Sequence, residues 1–538
     1  MNENKIWHED IEDISIEKDK IKNFYYPIYP GETKNFREQI AIKIVNFIRE
    51  INKKNNSFSD EITAGMFGLI NEIVNIYYTL RLNSKLKQNN FVIIPNDKSR
   101  LLKDLINDDK PKYPKVLNQL IHGKERVKKR FFIPRIIRNI LTEKYIIKNY
   151  VKLPNFEENI ISISIDPFLE LHAKNESKNV YYIRINEWFK NLNKPYGNEN
   201  DLSYIVDGLL EIISLEYKQN NQPLSNNLKK YFEDFINLYL KKLSIYKKSI
   251  LETNIGLPKI LWTPSGGGIF ANIFRQVCKS SGTLVVGHSH GSGTGFFSDY
   301  GRTLSILEYQ SCTDFYVYTK KSVKEYIKYA RKDLIVDGKL PNIKNINNNT
   351  VWPYDKVNKL DNIISFKKIR NKYILYIPSI FIYDNYYDGN LIDAHTTYDW
   401  MLKISNFLLK NNFNFKIKLH PKNPAPKKFI HYYKKNISNY NLARSINNSS
   451  LIITDQPSST SFSASVISSK PIIFIDFNVQ NFTNYSWKLI NDRCSVIKGE
   501  NTKSGLQIDW NDLKKNILNP KKVFTKDFQF TYFENVNK

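Results

Sequence analysis

The chain has 538 residues, of which 41% are hydrophobic and 14% aromatic, so it is long enough for two or three domains and its composition excludes a disordered protein. Its formal net charge of +27 indicates attraction to an anionic surface or a phosphorylated substrate, although the abundance of Lys, Asn and Ile, typical of an AT-rich genome, explains it equally well. No apolar run approaches the roughly 20 residues of a membrane-spanning helix, so no such helix is expected.

The cysteines and the N-terminus bear on the cellular compartment. Cys278, Cys312 and Cys494 are far apart and lack metal-ligand spacing, which predicts buried thiols in a reducing compartment. The first residues, MNENKIWHEDIEDISIEKD, are charged and contain no apolar stretch, so no signal peptide is expected. These features predict a cytoplasmic protein, with association at the inner face of the cytoplasmic membrane as the alternative.

Residues 1–150 are predicted to form a helical, basic N-terminal region. Apolar residues recur at three- and four-residue spacing in FREQIAIKIVNFIREI and in ITAGMFGLINEIVNIYYTLRL, which is typical of amphipathic helices. Residues 91–95 are predicted to be a strand. The basic stretch from there to about Lys148 is interpreted as a solvated helix face, and a landing surface for a membrane or a polyanion is the alternative.

Residues 151–345 are predicted to form a first α/β domain. Apolar segments at 159–166 and 179–185 predict strands, and residues 202–248 are mostly helical in pattern. Strands and helices then alternate in KILWTP, IFANIFRQVCKSSG, TLVVGH, DFYVYT and KKSVKEYIKYARK, which is typical of βαβ units with a parallel sheet. Residues 342–349 have the polar composition of a linker.

Residues 346–520 are predicted to form a second α/β domain, and residues 521–538 a C-terminal tail. The domain opens with the strand YILYIPSI and the helix HTTYDWMLKISNFLLK, and DWNDLKKNIL near its end is also helix-like. The predicted fold class is therefore α/β, with two doubly wound, Rossmann-type domains facing a cleft and a helical N-terminal region.

The centre of the second domain is a βαβ unit. Short apolar runs at 415–419, 451–454 and 471–475 have the pattern of strands buried on both faces. Between the last two runs, residues 458–470 are small and are predicted to form a helix of about three turns. Ligands of parallel sheets bind beyond the carboxyl ends of the strands, so the polar residues that follow these runs are candidate site residues.

A glycine-rich loop, GHSHGSGTG, follows a predicted strand of the first domain. His288 and His290 are placed there to act as a general base or to bind phosphate, and the glycines let the backbone approach a ligand. A surface turn is the structural alternative. The loop has no third metal ligand nearby, and its spacing matches neither GxGxxG nor the P-loop.

The turn formed by Ser265, Gly266, Gly267 and Gly268 lies between a predicted strand and a predicted helix. Its amide groups would face an anion at the helix N-terminus. A plain tight turn explains the same residues equally well.

Polar residues also follow two strands of the second domain. His420 and Pro421 come directly after the run at 415–419, where the histidine is able to donate to a phosphate. The cluster DQPSSTS follows the run at 451–454 and contains Asp455, Ser458, Ser459 and Thr460. Hydroxyl and amide groups at a helix start form a phosphate cradle, and a plain N-cap is the alternative. No two aspartates are separated by one residue, so a metal bound through a DxD motif is not expected and no cofactor is predicted.

This set of motifs resembles the two-domain GT-B glycosyltransferases of bacterial surface polysaccharides. The similar families are the bacterial polysialyltransferases, the Kdo transferases of capsule and lipopolysaccharide, and the CDP-glycerol glycerophosphotransferases of teichoic acid. The resemblance covers residues 258–490. It implies that the phosphate of a cytidine nucleotide contacts five residues: His420, Pro421, Ser458, Ser459 and Thr460. The HG motif of the glycerophosphotransferases matches His290 and Gly291, which implies a catalytic role for His290. The acidic Asp/Glu-Asp/Glu-Gly motif of the polysialyltransferases is absent from the first α/β domain.

The resemblance implies a metal-independent glycosyltransferase with a nucleotide-activated sugar as co-substrate. The donor would be CMP-activated, such as a sialic-acid-like sugar or Kdo, and the acceptor a cell-surface glycan or a lipid-linked glycan. The first α/β domain would bind the acceptor and the second the donor. Further candidates for substrate contact are Gly266, Gly267, Gly268, His288, Gly291 and Asp455.

Three other functions are consistent with the same residues. A CDP-glycerol or CDP-ribitol phosphotransferase and a nucleotide-sugar 2-epimerase are the enzymatic alternatives. A non-enzymatic protein that binds a polyanion through its positive charge is the alternative of a different class. Nucleic acid is not an expected partner, because no known reader module resembles any part of the chain.

Overall fold

Two six-stranded sheets, both mainly parallel, organise the chain, so the protein is an α/β protein. The structure is a computed structural model, and it describes residues 5–8, 33–94, 101–111, 159–164, 166–176, 178, 180–183, 185–189, 195, 197–253, 256–264, 268–289, 294–346, 372–379, 394–420, 425–502, 505–521 and 525–533. The strands are β1 (Lys5–His8), β2 (Phe91–Ile94), β3 (Ile160–Ser162), β4 (Val180–Tyr182), β5 (Ile260–Thr263), β6 (Leu284–His288), β7 (Asp314–Val317), β8 (Asn342–Asn345), β9 (Tyr373–Ile377), β10 (Phe415–Ile417), β11 (Ser449–Thr454), β12 (Ile472–Asp476), β13 (Ser495–Thr502) and β14 (Gly505–Ile508). The helices are α1 (Lys34–Lys53), α2 (Ser59–Gln88), α3 (Leu101–Ile106), α4 (Pro167–Asn175), α5 (Glu199–Gln219), α6 (Asn226–Leu251), α7 (Ile269–Ser280), α8 (Tyr300–Leu307), α9 (Lys320–Tyr329), α10 (Ala394–Lys410), α11 (Lys427–Tyr432), α12 (Leu442–Asn447), α13 (Thr460–Val466), α14 (Asn484–Arg493), α15 (Trp510–Leu518) and α16 (Asp527–Tyr532).

The first sheet has the strand order β4-β3-β5-β6-β7-β8, with all neighbours parallel. The order reverses between β3 and β5, which is the switch point of a doubly wound sheet. The edge strand β8 contradicts the prediction of a linker at 342–349, which is wrong for Asn342–Asn345. An edge strand tolerates this polar sequence because its side chains reach water and its neighbour: Asn342 and Lys344 both bond to Asp314 of β7, at 3.0 and 2.7 Å.

The second sheet has the order β10-β9-β11-β12-β13-β14, with only β14 antiparallel. Its switch point lies between β9 and β11. Alternate residues of β9 enter two different cores: Ile374 and Tyr376 pack on one face, and Tyr373, Leu375 and Ile377 pack on the other. Burial on both faces explains why the predicted strands of this domain are continuous apolar runs.

The N-terminal helices share a core with the first sheet. Residues of α1, α2, α5 and α6 belong to one buried cluster together with residues of β5, β6 and β7. Residues 202–248, predicted as mostly helical, form parts of two helices, α5 and α6, separated by a turn that contains Pro223. Most of the basic stretch between Phe91 and Lys148 lies outside the described residues.

The loops that follow β6 and β12 meet, which brings the carboxyl ends of the two sheets towards each other. Phe297 forms an antiparallel bridge with Phe482, and the amide of Ser298 donates to the carbonyl of Asn481 at 2.8 Å. The carbonyl of Phe296 accepts from the amide of Thr483 at 3.0 Å. The described residues therefore include two parallel-rich sheets whose post-strand loops are in contact, an arrangement compatible with a two-domain Rossmann-like fold.

Two local predictions differ from the structure. The helix predicted over 458–470 is only Thr460–Val466, about two turns, and buried Arg493 binds the backbone at its end and after it. The guanidinium donates to the carbonyls of Val466, Ser468 and Lys470 at 2.7–3.0 Å. The polar C-terminal residues contain a helix, α16, whose Thr531 carbonyl accepts from the hydroxyl of Thr319. In the part of the chain that is described, no helix has both the length and the apolar composition needed to cross a bilayer.

Candidate functional site

His288 ends β6 at the carboxyl edge of the first sheet and is bonded to protein through both ring nitrogens. Its Nδ1 lies 3.0 Å from the carbonyl oxygen of Thr263, which only accepts, so Nδ1 carries the proton. Its Nε2 is therefore an acceptor, and Nδ1 of His172 donates to it at 2.8 Å. Neither nitrogen of His288 remains for a substrate, and the side chain is buried. The expectation that His288 contacts substrate finds no support in this geometry.

Burial keeps both of these histidines neutral. Desolvation lowers the pKa of His288 to about 4 and the pKa of His172 to about 2, and the neighbouring imidazole contributes to the lowering at His172. The ring of His172 stacks on Trp262, with centroids 4.3 Å apart, and packs against Tyr316. The pair therefore joins α4, β5 and β6 as a buried, uncharged cluster at the end of β6.

The glycines of this part of the chain have different roles. A Cβ at Gly287 would lie 2.6 Å from Sγ of Cys312, and one at Gly295 would lie 2.4 Å from the ring of Tyr326. Packing therefore requires glycine at these two positions without any ligand. At Gly268, the N-cap of α7, no atom lies within 4 Å of the Cβ position, so packing does not require glycine there.

The described residues that flank His290 in the chain contact other elements. The Ser289 amide donates to the carbonyl of Tyr316 at 2.8 Å, and its hydroxyl lies 2.8 Å from that of Tyr326. On the other side, the segment that begins at Thr294 continues into the contact between Phe297 and Phe482. Five predicted site residues lie outside the described residues: Gly266, Gly267, His290, Gly291 and Pro421.

Asp455 directly follows β11 at the switch point of the second sheet, where it is buried among three side-chain donors. Its Oδ2 accepts from the hydroxyl of Tyr376 at 2.9 Å and from Nε1 of Trp400 at 2.7 Å. Its Oδ1 accepts from the hydroxyl of Ser379 at 3.0 Å. Burial raises the pKa of Asp455, and these donors oppose the rise. Both oxygens are engaged, so Asp455 connects β9, β11 and α10 at this edge of the sheet.

The serine cluster after Asp455 divides into one structural residue and two that remain accessible. Ser459 is the N-cap of α13: its hydroxyl accepts from the Phe462 amide at 3.1 Å and donates to the Gln456 carbonyl at 2.9 Å. Ser458 accepts from the Gln456 side chain at 2.8 Å. Ser458 and Thr460 are half-buried, and their hydroxyl groups are able to donate to a ligand in the crevice.

His420 lies at the same edge of the second sheet. It follows β10 and its side chain is exposed. One strand, β9, separates β10 from β11, so the ends of these two strands lie about 10 Å apart. That distance is similar to the length of a nucleoside monophosphate. The structure therefore brings His420, Ser458 and Thr460 to one edge, and it puts His288 and Gly268 at the carboxyl edge of the other sheet.

Four residues of these networks were not predicted: His172, Tyr376, Ser379 and Trp400. A buried aspartate after an apolar strand requires hydrogen-bond donors, but nothing local in the sequence indicates which ones. The partners of Asp455 lie 55–79 positions away in the chain, and His172 lies 116 positions from His288.

Two further observations limit the candidate chemistry. Among the described residues, no group of three or more His, Cys, Asp and Glu side chains is arranged to hold a metal ion. Comparison with known proteins found no matching family model, no matching curated protein and no matching solved structure.

Proposed function

We propose that the chain is a GT-B-type glycosyltransferase that transfers a sugar from a CMP-activated donor to a glycan acceptor. The observation that carries this proposal is the contact between the loops after β6 and β12. This contact brings the carboxyl edges of the two sheets towards each other, and such edges are where nucleotides bind in open α/β sheets. In the proposed enzyme the two edges would line one crevice. A two-substrate transfer needs donor and acceptor to meet in one crevice from which water is excluded.

The donor nucleotide is assigned to the edge of the second sheet. Ser458 and Thr460 would donate to the phosphate through their hydroxyls, and His420, whose strand ends about 10 Å away along the same edge, would donate to the bound nucleotide. Donors of this kind stabilise the charge that develops on the departing phosphate, and each is worth on the order of 10²–10³ in rate. Asp455 and Ser459 would support this surface without touching the nucleotide, because their hydrogen-bonding groups are engaged within the protein.

His290 is assigned as the general base that accepts the proton of the acceptor hydroxyl. Its neighbour Ser289 is bonded to β7 and α9, and the loop ends in the segment that contacts the second sheet's loops. His288 is unsuited to this role, because both of its nitrogens are bonded and burial keeps it neutral.

Nucleotide binding is the first test. Thermal shifts would be measured with CMP, CDP, UDP, GDP and ADP, since a ligand at about 100 times its Kd stabilises the folded state by about 2.7 kcal/mol. We expect a shift with cytidine nucleotides that is lost in Ser458→Ala/Thr460→Val and reduced in His420→Ala. The matched controls are Ser450→Ala, at the opposite end of β11, and His431→Ala, an exposed histidine of α11.

The outcomes distinguish the alternatives. A shift with UDP or GDP alone would discard the cytidine donor. No shift with any nucleotide would favour the polyanion-binding function. Release of CMP from CDP-glycerol, and not from CMP-sugars, would identify a phosphotransferase. His290→Ala should abolish transfer and retain nucleotide binding, and equal loss of both would make His290 a binding residue.

A further inference from the structure

The segment between Trp400 and Thr454 is strongly and uniformly basic. The whole chain has 53 acidic residues, yet this stretch of 55 residues has none, while it contains nine lysines and one arginine. A codon bias that acts along the whole chain does not explain a local absence of Asp and Glu. The charge of this segment is therefore a property of one part of the structure.

The middle of this segment forms the outer edge of the second sheet. β10 is the edge strand, and the chain returns along it after α11, where Ile437 forms a bridge with Ile417 and the Ser438 amide donates to the Ile417 carbonyl at 2.9 Å. Phe429 and Tyr433 anchor α11 and the turn after it in the domain core, and the Tyr433 hydroxyl donates to Asn406 at 2.7 Å. The surface outside this edge is therefore held rigidly.

The exposed side chains on that surface include several lysines and two tyrosines. We define the basic edge by its exposed residues Lys427, Lys428, Tyr432, Lys434, Lys435 and Tyr440. Tyr432 is 49% exposed and Tyr440 is 44% exposed. The guanidinium of Arg444 lies 4.3 Å from the ring centroid of Tyr440, so this tyrosine is itself part of the cationic surface.

We propose that the basic edge docks the protein on a bilayer that contains anionic phospholipid. Lysines attract anionic headgroups, and a tyrosine has an apolar ring and a polar hydroxyl, which suits it to the headgroup level of a membrane. Lys428 and Tyr432 are four positions apart on α11 and therefore lie on the same side of the helix, which puts a charge and a ring on one surface.

The absence of acidic residues from this segment also explains why the basic edge, and not another lysine-containing surface, is proposed to bind the membrane. Attraction to a membrane sums over many weak contacts and is diminished by interspersed carboxylates, which the segment lacks. A soluble polyanion would meet the same lysines but would not require half-exposed tyrosines to enter an apolar layer. The tyrosines therefore distinguish a lipid surface from a soluble polyanion.

The test uses the 538-residue chain and vesicle co-sedimentation. The vesicles contain either phosphatidylcholine alone or equal parts of phosphatidylcholine and phosphatidylglycerol. We expect binding only to the second kind, weakening as salt is added. Lys434→Gln/Lys435→Gln should reduce the partition coefficient about 25-fold, because each lysine near an anionic surface contributes roughly fivefold.

The chain offers close controls for both kinds of side chain. Lys514 and Lys515 are exposed on α15, which packs near the other edge of the same sheet, and an asparagine follows them just as one follows Lys434 and Lys435. Lys514→Gln/Lys515→Gln therefore removes the same amount of charge from a different surface. Tyr485 is 44% exposed, as is Tyr440, so Tyr485→Ser controls for Tyr440→Ser. We expect the two control variants to bind vesicles as the wild type does, and Tyr440→Ser to bind more weakly.

Three results would overturn the proposal. Equal binding to both kinds of vesicle would show that anionic lipid is not recognised. Equal weakening by the two lysine pairs would show that net charge, and not the basic edge, is responsible. Full competition by soluble polyphosphate, with no effect of Tyr440→Ser, would assign the surface to a polyanion instead of a membrane.

Discussion

Replacing Asp455 by Asn and by Ala separates the geometry of its hydrogen bonds from its charge. In Asp455→Asn the amide oxygen can take the place of Oδ2 and continue to accept from Tyr376 and Trp400. The amide NH₂ then faces Ser379, whose hydroxyl can accept, although the Ser379 backbone amide, which helps to stabilise the carboxylate, loses its partner. We expect a loss of about 1 kcal/mol in the free energy of unfolding.

Asp455→Ala removes the acceptor of the three side-chain donors and of the Ser379 backbone amide. A buried donor left without a partner costs about 1–3 kcal/mol, so the three together should lower the free energy of unfolding by at least about 3 kcal/mol. Urea denaturation followed by tryptophan fluorescence measures both variants, and exposed Asp492→Ala, which should change stability by less than about 0.5 kcal/mol, is the control.

Two results would refute this reasoning. If Asn were as destabilising as Ala, the buried charge and not the hydrogen-bond geometry would be essential. If Ala were as stable as the wild type, the three donors would have other partners. Asp455→Asn should also keep the thermal shift with CMP, and its loss in a stable variant would make Asp455 a ligand of the nucleotide.

Three further predictions concern pH and packing. Burial raises the pKa of Glu72 to about 7, so its stabilising contribution is present below its ordinary pKa of 4.5 and is lost as the pH rises through 7. In urea titrations, the free energy of unfolding of Glu72→Gln should therefore match that of the wild type in acid and exceed it by about 3 kcal/mol above neutrality. A difference that does not depend on pH would contradict this. Burial lowers the pKa of His172, so its contribution to stability is present above its ordinary pKa of 6.5 and is lost as the pH falls. His172→Phe, which keeps the stack on Trp262, should remove up to about 3 kcal/mol of the destabilisation by acid at about pH 4. An unchanged acid transition would disprove this prediction. Gly287→Ala should lower the free energy of unfolding by about 1–3 kcal/mol, and Gly268→Ala should be as stable as the wild type. Equal effects of the two variants in thermal melts would show that the surroundings of Gly287 relax to accept the extra methyl group.

The sequence by itself determined the fold class and most of the buried strands. Runs such as YILYI and LIIT are apolar without interruption because both of their faces are covered, and this pattern is visible before any partner is known. The position of Asp455 and of Ser458–Thr460 beyond a strand end followed from the same pattern, because polar residues interrupt the apolar run there. Local pattern was sufficient wherever the determining interactions are local.

The tertiary structure decided which residues meet. The edge position of β8 made a polar segment into a strand, since a strand there needs only one paired neighbour. The backbone at and after the end of the helix that begins beyond Ser459 is bonded to Arg493, which binds three carbonyl groups that lie 23–27 positions earlier in the chain. His172 fixed the tautomer and the burial of His288, which no feature near His288 indicates. Each of these outcomes depends on contacts between distant parts of the chain. Packing and the need to pair buried polar groups select the partners in those contacts, and the local sequence does not specify them.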